Sequence, residues 1–212
     1  PEAALEQLAA VGWVDYDQDA STPLTAVGVA GVPNDTAFSF TYLVPEDSER
    51  QKVAQIVKES LAQCGIQAEI ESQPWGTLLG PGPDSPVFGR AFDMAQFAWG
   101  KLSRSPCFLY QSDEVPGPYP DYPKGWGGGN PSGYANPDFD RACQEAMHTL
   151  PDSDRYQQAH HKAQLIFAQD LPVIPLYWRQ SVFAVRPDMC TEAFHDDFVS
   201  LERFQYGEAC QP

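Results

Sequence analysis

Polar and apolar residues alternate through Phe38-Ser39-Phe40-Thr41-Tyr42-Leu43-Val44, on β-branched and aromatic side chains, and this predicts a strand that Pro45 ends. The period then changes. Val53, Ile56, Val57, Leu61 and Cys64 fall on one helical face, Ser48 stands three before Gln51 in the pattern of a capping box, and Gly65 is placed as the C-terminal stop. Alternation returns over Ile66 to Glu71. Strand, helix and strand joined by short links predict a βαβ unit with parallel strands and a right-handed crossover.

The flanking segments read as further elements of an α/β fold. Ala3 to Ala10 predicts a short helix ended by Gly12. Phe92 to Trp99 predicts a third strand, mostly apolar and therefore interior. Asn136 precedes Pro137 as cap and first residue of a helix whose face is Phe139, Ala142, Cys143, Ala146 and Leu150. A second helix over 152–169 buries Tyr156, Ala159, Ala163, Ile166 and Phe167. Leu171 to Tyr177 is extended, but Pro172 and Pro175 exclude it from the centre of a sheet, and Ser181 to Val185 predicts a last short strand. Between these lie long loops. With 20 Pro and 16 Gly, much of the chain is ordered loop, above all Leu102 to Tyr134, and no repeat appears.

Charge narrows the partners. The formal net charge is −16, so a nucleic acid or an anionic bilayer is repelled by the average surface. No apolar run approaches membrane-spanning length, and no basic region followed by an apolar stretch and cleavage site stands at the N-terminus. The chain opens at Pro1 inside what reads as a helix entry, which is expected of a fragment of a longer protein. Five cysteines (64, 107, 143, 190, 210) form no C-x-x-C pair and have no zinc spacing. In an oxidising compartment the expected disulfides are Cys190–Cys210 and Cys107–Cys143, with Cys64 a buried free thiol; in a reducing one all five are core thiols.

The motifs of catalysis are missing. The chain has no G-x-S-x-G elbow and no H-E-x-x-H, and its glycine run, Gly127-Gly128-Gly129, leads to Asn130-Pro131 rather than to Lys-Ser/Thr and a helix. His160 and His161 are adjacent and diverge on a helix, and His148 and His195 lack ligand-spaced partners. Glu69 and Glu71 share a strand face as solvated carboxylates. Asp15, Asp17 and Asp19 begin like a calcium loop, yet Ala20 and Ala26 stand where the turn glycine and the closing glutamate belong, so a solvated acidic turn is the competing reading. What stands out is aromatic and polar residues in loops: Trp75, Gln96, Trp99, Tyr119, Tyr122, Trp126, Asn130 and Tyr134. Such residues either line a ligand site or plug the core beneath long loops.

Three strings in order carry a resemblance: Gly127-Gly128-Gly129-Asn130-Pro131-Ser132-Gly133-Tyr134-Ala135-Asn136-Pro137-Asp138-Phe139-Asp140, then Arg155-Tyr156-Gln157-Gln158-Ala159, then Asp170-Leu171-Pro172-Val173-Ile174-Pro175-Leu176-Tyr177. Upstream, Ala9-Ala10-Val11-Gly12-Trp13, Gln63-Cys64-Gly65-Ile66, Trp75 and Phe92-Asp93 to Trp99 follow the same order. The series resembles the family 5 solute-binding proteins of ABC importers, the oligopeptide-, dipeptide- and nickel-binding receptors. The resemblance implies a type II periplasmic-binding-protein-like lobe, a mixed β-sheet flanked by helices. Residues 1–212 would be a single C-terminal ligand-clamping lobe, without the N-terminal lobe.

By position, the resemblance makes Trp99 the cleft tryptophan, Gln96 the polar or Arg position three before it, and Trp75 a pocket-lining tryptophan. Gly100, Lys101, Trp126, Asn130 and Tyr134 complete the expected ligand-binding set. One departure bears on the ligand. Peptide receptors often place an Asp three residues beyond the cleft tryptophan to hold an ammonium, and Leu102 stands there instead, beside Lys101. An unpaired buried ammonium is costly, so the expected ligand lacks a free α-amino group or is anchored from the other lobe. Ser105-Pro106 likewise replaces the family's Asp-Pro.

The expectation is a non-enzymatic, extracytoplasmic, monomeric receptor lobe without a cofactor. It would bind a peptide-like or other small polar solute between lobes, deliver it to an ABC permease, and be lipid-anchored through a segment outside this chain. A sensory or scaffold lobe, and a hydrolase with its catalytic groups on the other half, are the alternatives.

Overall fold

The computed structural model describes residues 1–19, 21–99, 106–151 and 153–177, together with the backbone of 194–195 and 198–199. Its backbone divides into two compact units, one of 1–99 with 104–172 and one of 100–103 with 173–212.

The first unit is built on the βαβ element that the alternation predicts. With the short helix α1 (Glu2–Ala10) and strands β1 (Trp13–Val14) and β2 (Thr25–Ala26) ahead of it, β3 spans Ser39–Pro45, α2 spans Ser48–Ala62 and β4 spans Gln67–Gln73. β3 and β4 pair in parallel from Ser39↔Gln67 to Pro45↔Gln73. β5 (Met94–Ala95) joins the other side of β3, parallel, at Tyr42↔Met94 and Leu43↔Ala95, so the strand order is β4-β3-β5. β3 is therefore the central strand, and its alternate side chains fill two cores. Tyr42 and Val44 pack with Ala54 of α2 and Ala68 of β4, while Leu43 packs with Leu78 and Val87 on the opposite face. The second core is closed by α3 (Trp75–Leu78) and the Gly/Pro loop that follows it.

Several expectations are corrected here. The third strand is two residues long and lies at the edge of the described sheet. After Gln96 donates its backbone N–H to Leu43 O the pairing ends, and Phe92 and Phe97 use their bulk to fill the core around Leu43. Helix α2 is capped by Asp47, whose Oδ1 accepts the Arg50 N–H at 3.0 Å, and Ser48 is its first helical residue. The buried side of α2 carries Arg50 and Ala54, whereas Ile56 is 63% exposed. Cys64 is a free thiol, half-buried rather than buried. Gly65 does end the helix: its φ is +69°, and a Cβ there would meet Leu24 Cγ at 2.6 Å.

The second half of this unit is helical. Asn136 caps α4 (Pro137–His148), its Oδ1 accepting from the N–H groups of Asp138 and Phe139, and Ser153 caps α5 (Asp154–Asp170). Phe139, Ala142, Cys143 and Ala163 form the core between them. Leu150 is 79% exposed, because α4 ends at His148 and Thr149 turns the backbone extended. The 3₁₀ turn Pro106–Tyr110 docks on this helix pair through a Cys107–Cys143 disulfide. Ser181 to Val185 and the Cys190–Cys210 pair lie outside the described residues. In the second unit, β6 (Phe194–His195) and β7 (Phe198–Val199) pair antiparallel, and Val173 to Tyr177 contributes no strand.

Candidate functional site

In a parallel sheet, ligands bind beyond the carboxyl ends of the strands, where loops diverge. Trp75 opens α3 two residues after β4 ends, and Trp99 stands four residues after β5 ends. Both flank β3, so both sit at the carboxyl end of the sheet. Trp75 is 38% and Trp99 36% exposed, which is unusual for the largest apolar side chain.

Each tryptophan is held from behind. The Trp99 ring meets Phe97 edge-on at 5.6 Å and Phe88 at 6.2 Å, both of which belong to the Leu43 core. Burial pushes the Tyr110 hydroxyl above its usual pKa, opposed by a weaker interaction with the Trp99 indole. Tyr110 in turn packs edge-on against Phe167 of α5 at 4.8 Å. The Trp99 indole is thus near enough to the Tyr110 hydroxyl to oppose the effect of its burial. Trp75 is backed by Arg50, whose guanidinium carbon lies 4.7 Å from the ring centre. The sequence pattern missed Arg50, since a charged residue in the first turn of a helix reads as solvent-facing.

Gln96 is 5% exposed. Its Oε1 accepts the Tyr42 hydroxyl at 2.7 Å, and its Nε2 is buried without a hydrogen-bond partner. Leaving a buried amide donor unpaired is costly. Trp126 joins the Trp99 neighbourhood from the glycine-rich segment: a Cβ on Gly82 would lie 2.8 Å from both Trp126 Cε3 and the Phe88 carbonyl oxygen. Only glycine lets the indole approach that closely. Arg90 and Tyr122 lie beside this segment, the guanidinium 4.8 Å from the ring centre and donating to the hydroxyl at 2.8 Å.

Asn130 and Tyr134 are placed elsewhere, and their polar groups are engaged in structure. Fully buried, Asn130 donates from Nδ2 to Gln111 O and Tyr134 O and accepts from Ser132 Oγ, while its N–H donates to Glu114 O. Glu114 also accepts from Gly129 N–H and Lys124, so a half-buried carboxylate organises the glycine run. The Tyr134 hydroxyl donates to Asp170 Oδ2 at 2.6 Å, as does Asn136 Nδ2. These bonds hold the Asp170 carboxyl below the usual range, and burial, then Asp170, raises the Tyr134 pKa. Gly100 and Lys101 lie outside the described residues.

The acidic loop carries its carboxylates on turns. Asp15, Asp17 and Asp19 accept from Gln18, Asp19 and Ser21 N–H respectively, and Thr22 Oγ1 donates to Asp17. The Asp19 backbone N–H and the Ser21 hydroxyl are the leading causes that lower the pKa of Asp17 and Asp19. Among the described residues no cluster of three His, Cys, Asp or Glu side chains is placed for a metal ion, and no helix is long and apolar enough to cross a membrane.

No protein-family model matches the chain, and no curated protein matches it in sequence. Solved structures do. The oligopeptide-binding protein of Thermus thermophilus, complexed with a pentapeptide, is 25% identical and aligns over 90% of this chain and 31% of its own, with a TM-score of 0.72. The fold is that of the type II periplasmic binding proteins. A mannohexaose-bound oligopeptide-binding protein of an ABC transporter from Thermotoga maritima matches at 24% identity, over 84% of this chain and 31% of its own, with a TM-score of 0.62. NikZ of Campylobacter jejuni, in complex with Ni(L-His), matches at 16% identity, over 81% and 30%, with a TM-score of 0.61. The type II fold and the resemblance read from the sequence point the same way. The chain spans about 30% of the length of these proteins, all of which are binding proteins.

Proposed function

We propose that this chain is the C-terminal ligand-clamping lobe of a substrate-binding receptor for an ABC importer. The carrying observation is the type II fold shared with a pentapeptide-bound oligopeptide receptor over 90% of the chain. The exposed Trp75 and Trp99 at the carboxyl end of the sheet support it, since aromatic walls desolvate a ligand and a second lobe closing over them sequesters it. The work is binding and delivery to a membrane permease, not turnover. The ligand is a peptide-like or other small polar solute, and the structures of this fold hold a pentapeptide, mannohexaose and a nickel–histidine complex. Trp75, Gln96, Trp99 and Trp126 bind it in this reading, and Gly100 and Lys101 remain ligand-binding residues expected from the sequence alone. The Cys107–Cys143 disulfide favours an oxidising, extracytoplasmic location. The receptor acts there as a monomer, lipid-anchored through a segment beyond this chain.

The test is mass spectrometry of the complete receptor, purified gently and then denatured. A companion small molecule, whether a family of peptides or a single solute, is expected. No companion, together with hydrolysis of peptides or glycosides by the complete protein, overturns the reading.

A further inference from the structure

Arg50 is the third residue of α2, where unpaired helix N–H groups favour a carboxylate neighbour over a guanidinium. It is nonetheless 6% exposed, and among the described residues no carboxylate forms an ion pair with it. Asp47 Oδ1, the carboxylate oxygen of the helix cap, is engaged by Arg50's own backbone N–H. The charge is met instead by the Trp75 ring at 4.7 Å, a cation–π contact strengthened by desolvation. Arg50 covers one face of the ring, and Trp75 is nonetheless 38% exposed, so surface of the residue away from the guanidinium reaches solvent.

This arrangement has a consequence for ligand chemistry. The electron density that attracts a cation to an indole face is already committed to Arg50. A second cation stacked on the other face would lie about twice the 4.7 Å stacking distance from the first, with the ring rather than water between them. A neutral ring, a CH-rich sugar face or an aliphatic chain meets no such repulsion, and for an anionic group the guanidinium behind the ring offsets the repulsion of the indole's own negative face. We infer that Arg50 makes Trp75 a stacking face that accepts neutral or anionic groups of the ligand and rejects ammonium and guanidinium groups. Arg50 is a positioning and specificity residue that acts through Trp75. The inference rests on the receptor reading for its setting, and it agrees with Leu102 at the position where a carboxylate would hold an ammonium. It also runs against the long-range field, since a chain of net charge −16 attracts cations at a distance.

Two measurements separate this inference from the receptor reading. In the 212-residue chain, the Trp75 emission is isolated as the difference from Trp75→Phe, and collisional quenching by iodide and caesium is normalised to acrylamide at constant ionic strength. The iodide-to-caesium ratio at Trp75 is expected to fall at least about threefold in Arg50→Met and less in Arg50→Lys, which keeps charge but loses the planar stack. An unchanged ratio in both variants overturns the inference, and Arg50→Gln serves if Arg50→Met does not fold. In the complete receptor, N-acetyl-Ala-Met-Ala is expected to bind at least about tenfold more tightly than N-acetyl-Ala-Lys-Ala, and Arg50→Met is expected to erase most of that ratio. Equal loss of both peptides makes Arg50 merely structural. A shifted quenching ratio with neither peptide bound upholds the cation-rejecting face and counts against the peptide-receptor reading instead.

Discussion

The Tyr42 hydroxyl donates to Gln96 Oε1 at 2.7 Å inside the sheet, joining the central strand to the residue that follows the edge strand. Tyr42 is 2% exposed, so the bond is fully desolvated. Tyr42→Phe removes the donor and leaves the Gln96 oxygen unpaired beside an amide nitrogen that already lacks a partner. The expected cost is about 1–3 kcal/mol in denaturant unfolding. Gln96→Met in the same background is expected to recover part of that loss, because it removes the stranded Gln96 amide. A double-mutant coupling below about 0.5 kcal/mol would show that the bond carries no weight.

The βαβ unit was legible because its information is local. Alternation over Phe38 to Val44 and over Ile66 to Glu71 needs no knowledge of the rest of the chain, and neither does the Asn136-Pro137 cap. The errors came where a long-range partner decided. Ile56 fits the apolar face of α2 by spacing, yet Arg50 is the buried residue, because Trp75, 25 positions later, supplies a ring for its charge. The site was legible in part for the same reason. The resemblance picks out Trp75 and Trp99, Trp99 as the last residue of a strand that in fact ends at Ala95. Asn130 and Tyr134 look identical in sequence to ligand-binding residues, and only Gln111, Ser132 and Asp170 reveal that their hydrogen bonds are already used.

The Cys107–Cys143 bridge closes a separation of 36 residues between the 3₁₀ turn and α4. Loop-closure entropy of that length corresponds to about 3–4 kcal/mol. The double substitution Cys107→Ala/Cys143→Ala is expected to destabilise by about that much in urea. Non-reducing peptide mapping should recover the two peptides joined. The same mapping tests Cys190 with Cys210, and a free thiol at either of those two positions removes that pairing.

The Tyr134–Asp170 clasp makes stability depend on pH at both ends. Asp170 titrates lower in the folded chain than unfolded, so its contribution is present above the unfolded carboxylate range, about pH 4, and is lost as pH falls through the lower folded value. Tyr134 titrates higher when folded, so its contribution is present below about pH 10 and is lost as pH rises beyond it. Melting curves of Tyr134→Phe are expected to lose the alkaline decline relative to the parent, and those of Asp170→Asn to lose part of the acid decline. Parallel curves for parent and variants at both ends would show that the clasp does not set the pH dependence.

Trp99 is where the ligand reading meets the packing. Its ring is supported edge-on by Phe88 and Phe97, so the indole is held in place before any ligand arrives. A pre-positioned tryptophan contributes to binding without first having to be ordered. Trp99→Ala in the complete receptor is expected to weaken affinity for the co-purifying ligand by at least about 1 kcal/mol. Tyr110→Phe leaves the ring contacts but removes the hydroxyl, and its smaller effect on affinity should appear with little change in melting temperature. If Trp99→Ala lowers stability while affinity per folded molecule stays constant, the ring is a plug over the Leu43 core and not a wall of the cleft. The isolated 212-residue chain, presenting only one wall, is expected to bind the same ligand far more weakly than the complete receptor, and micromolar binding by this chain alone would make it a whole module.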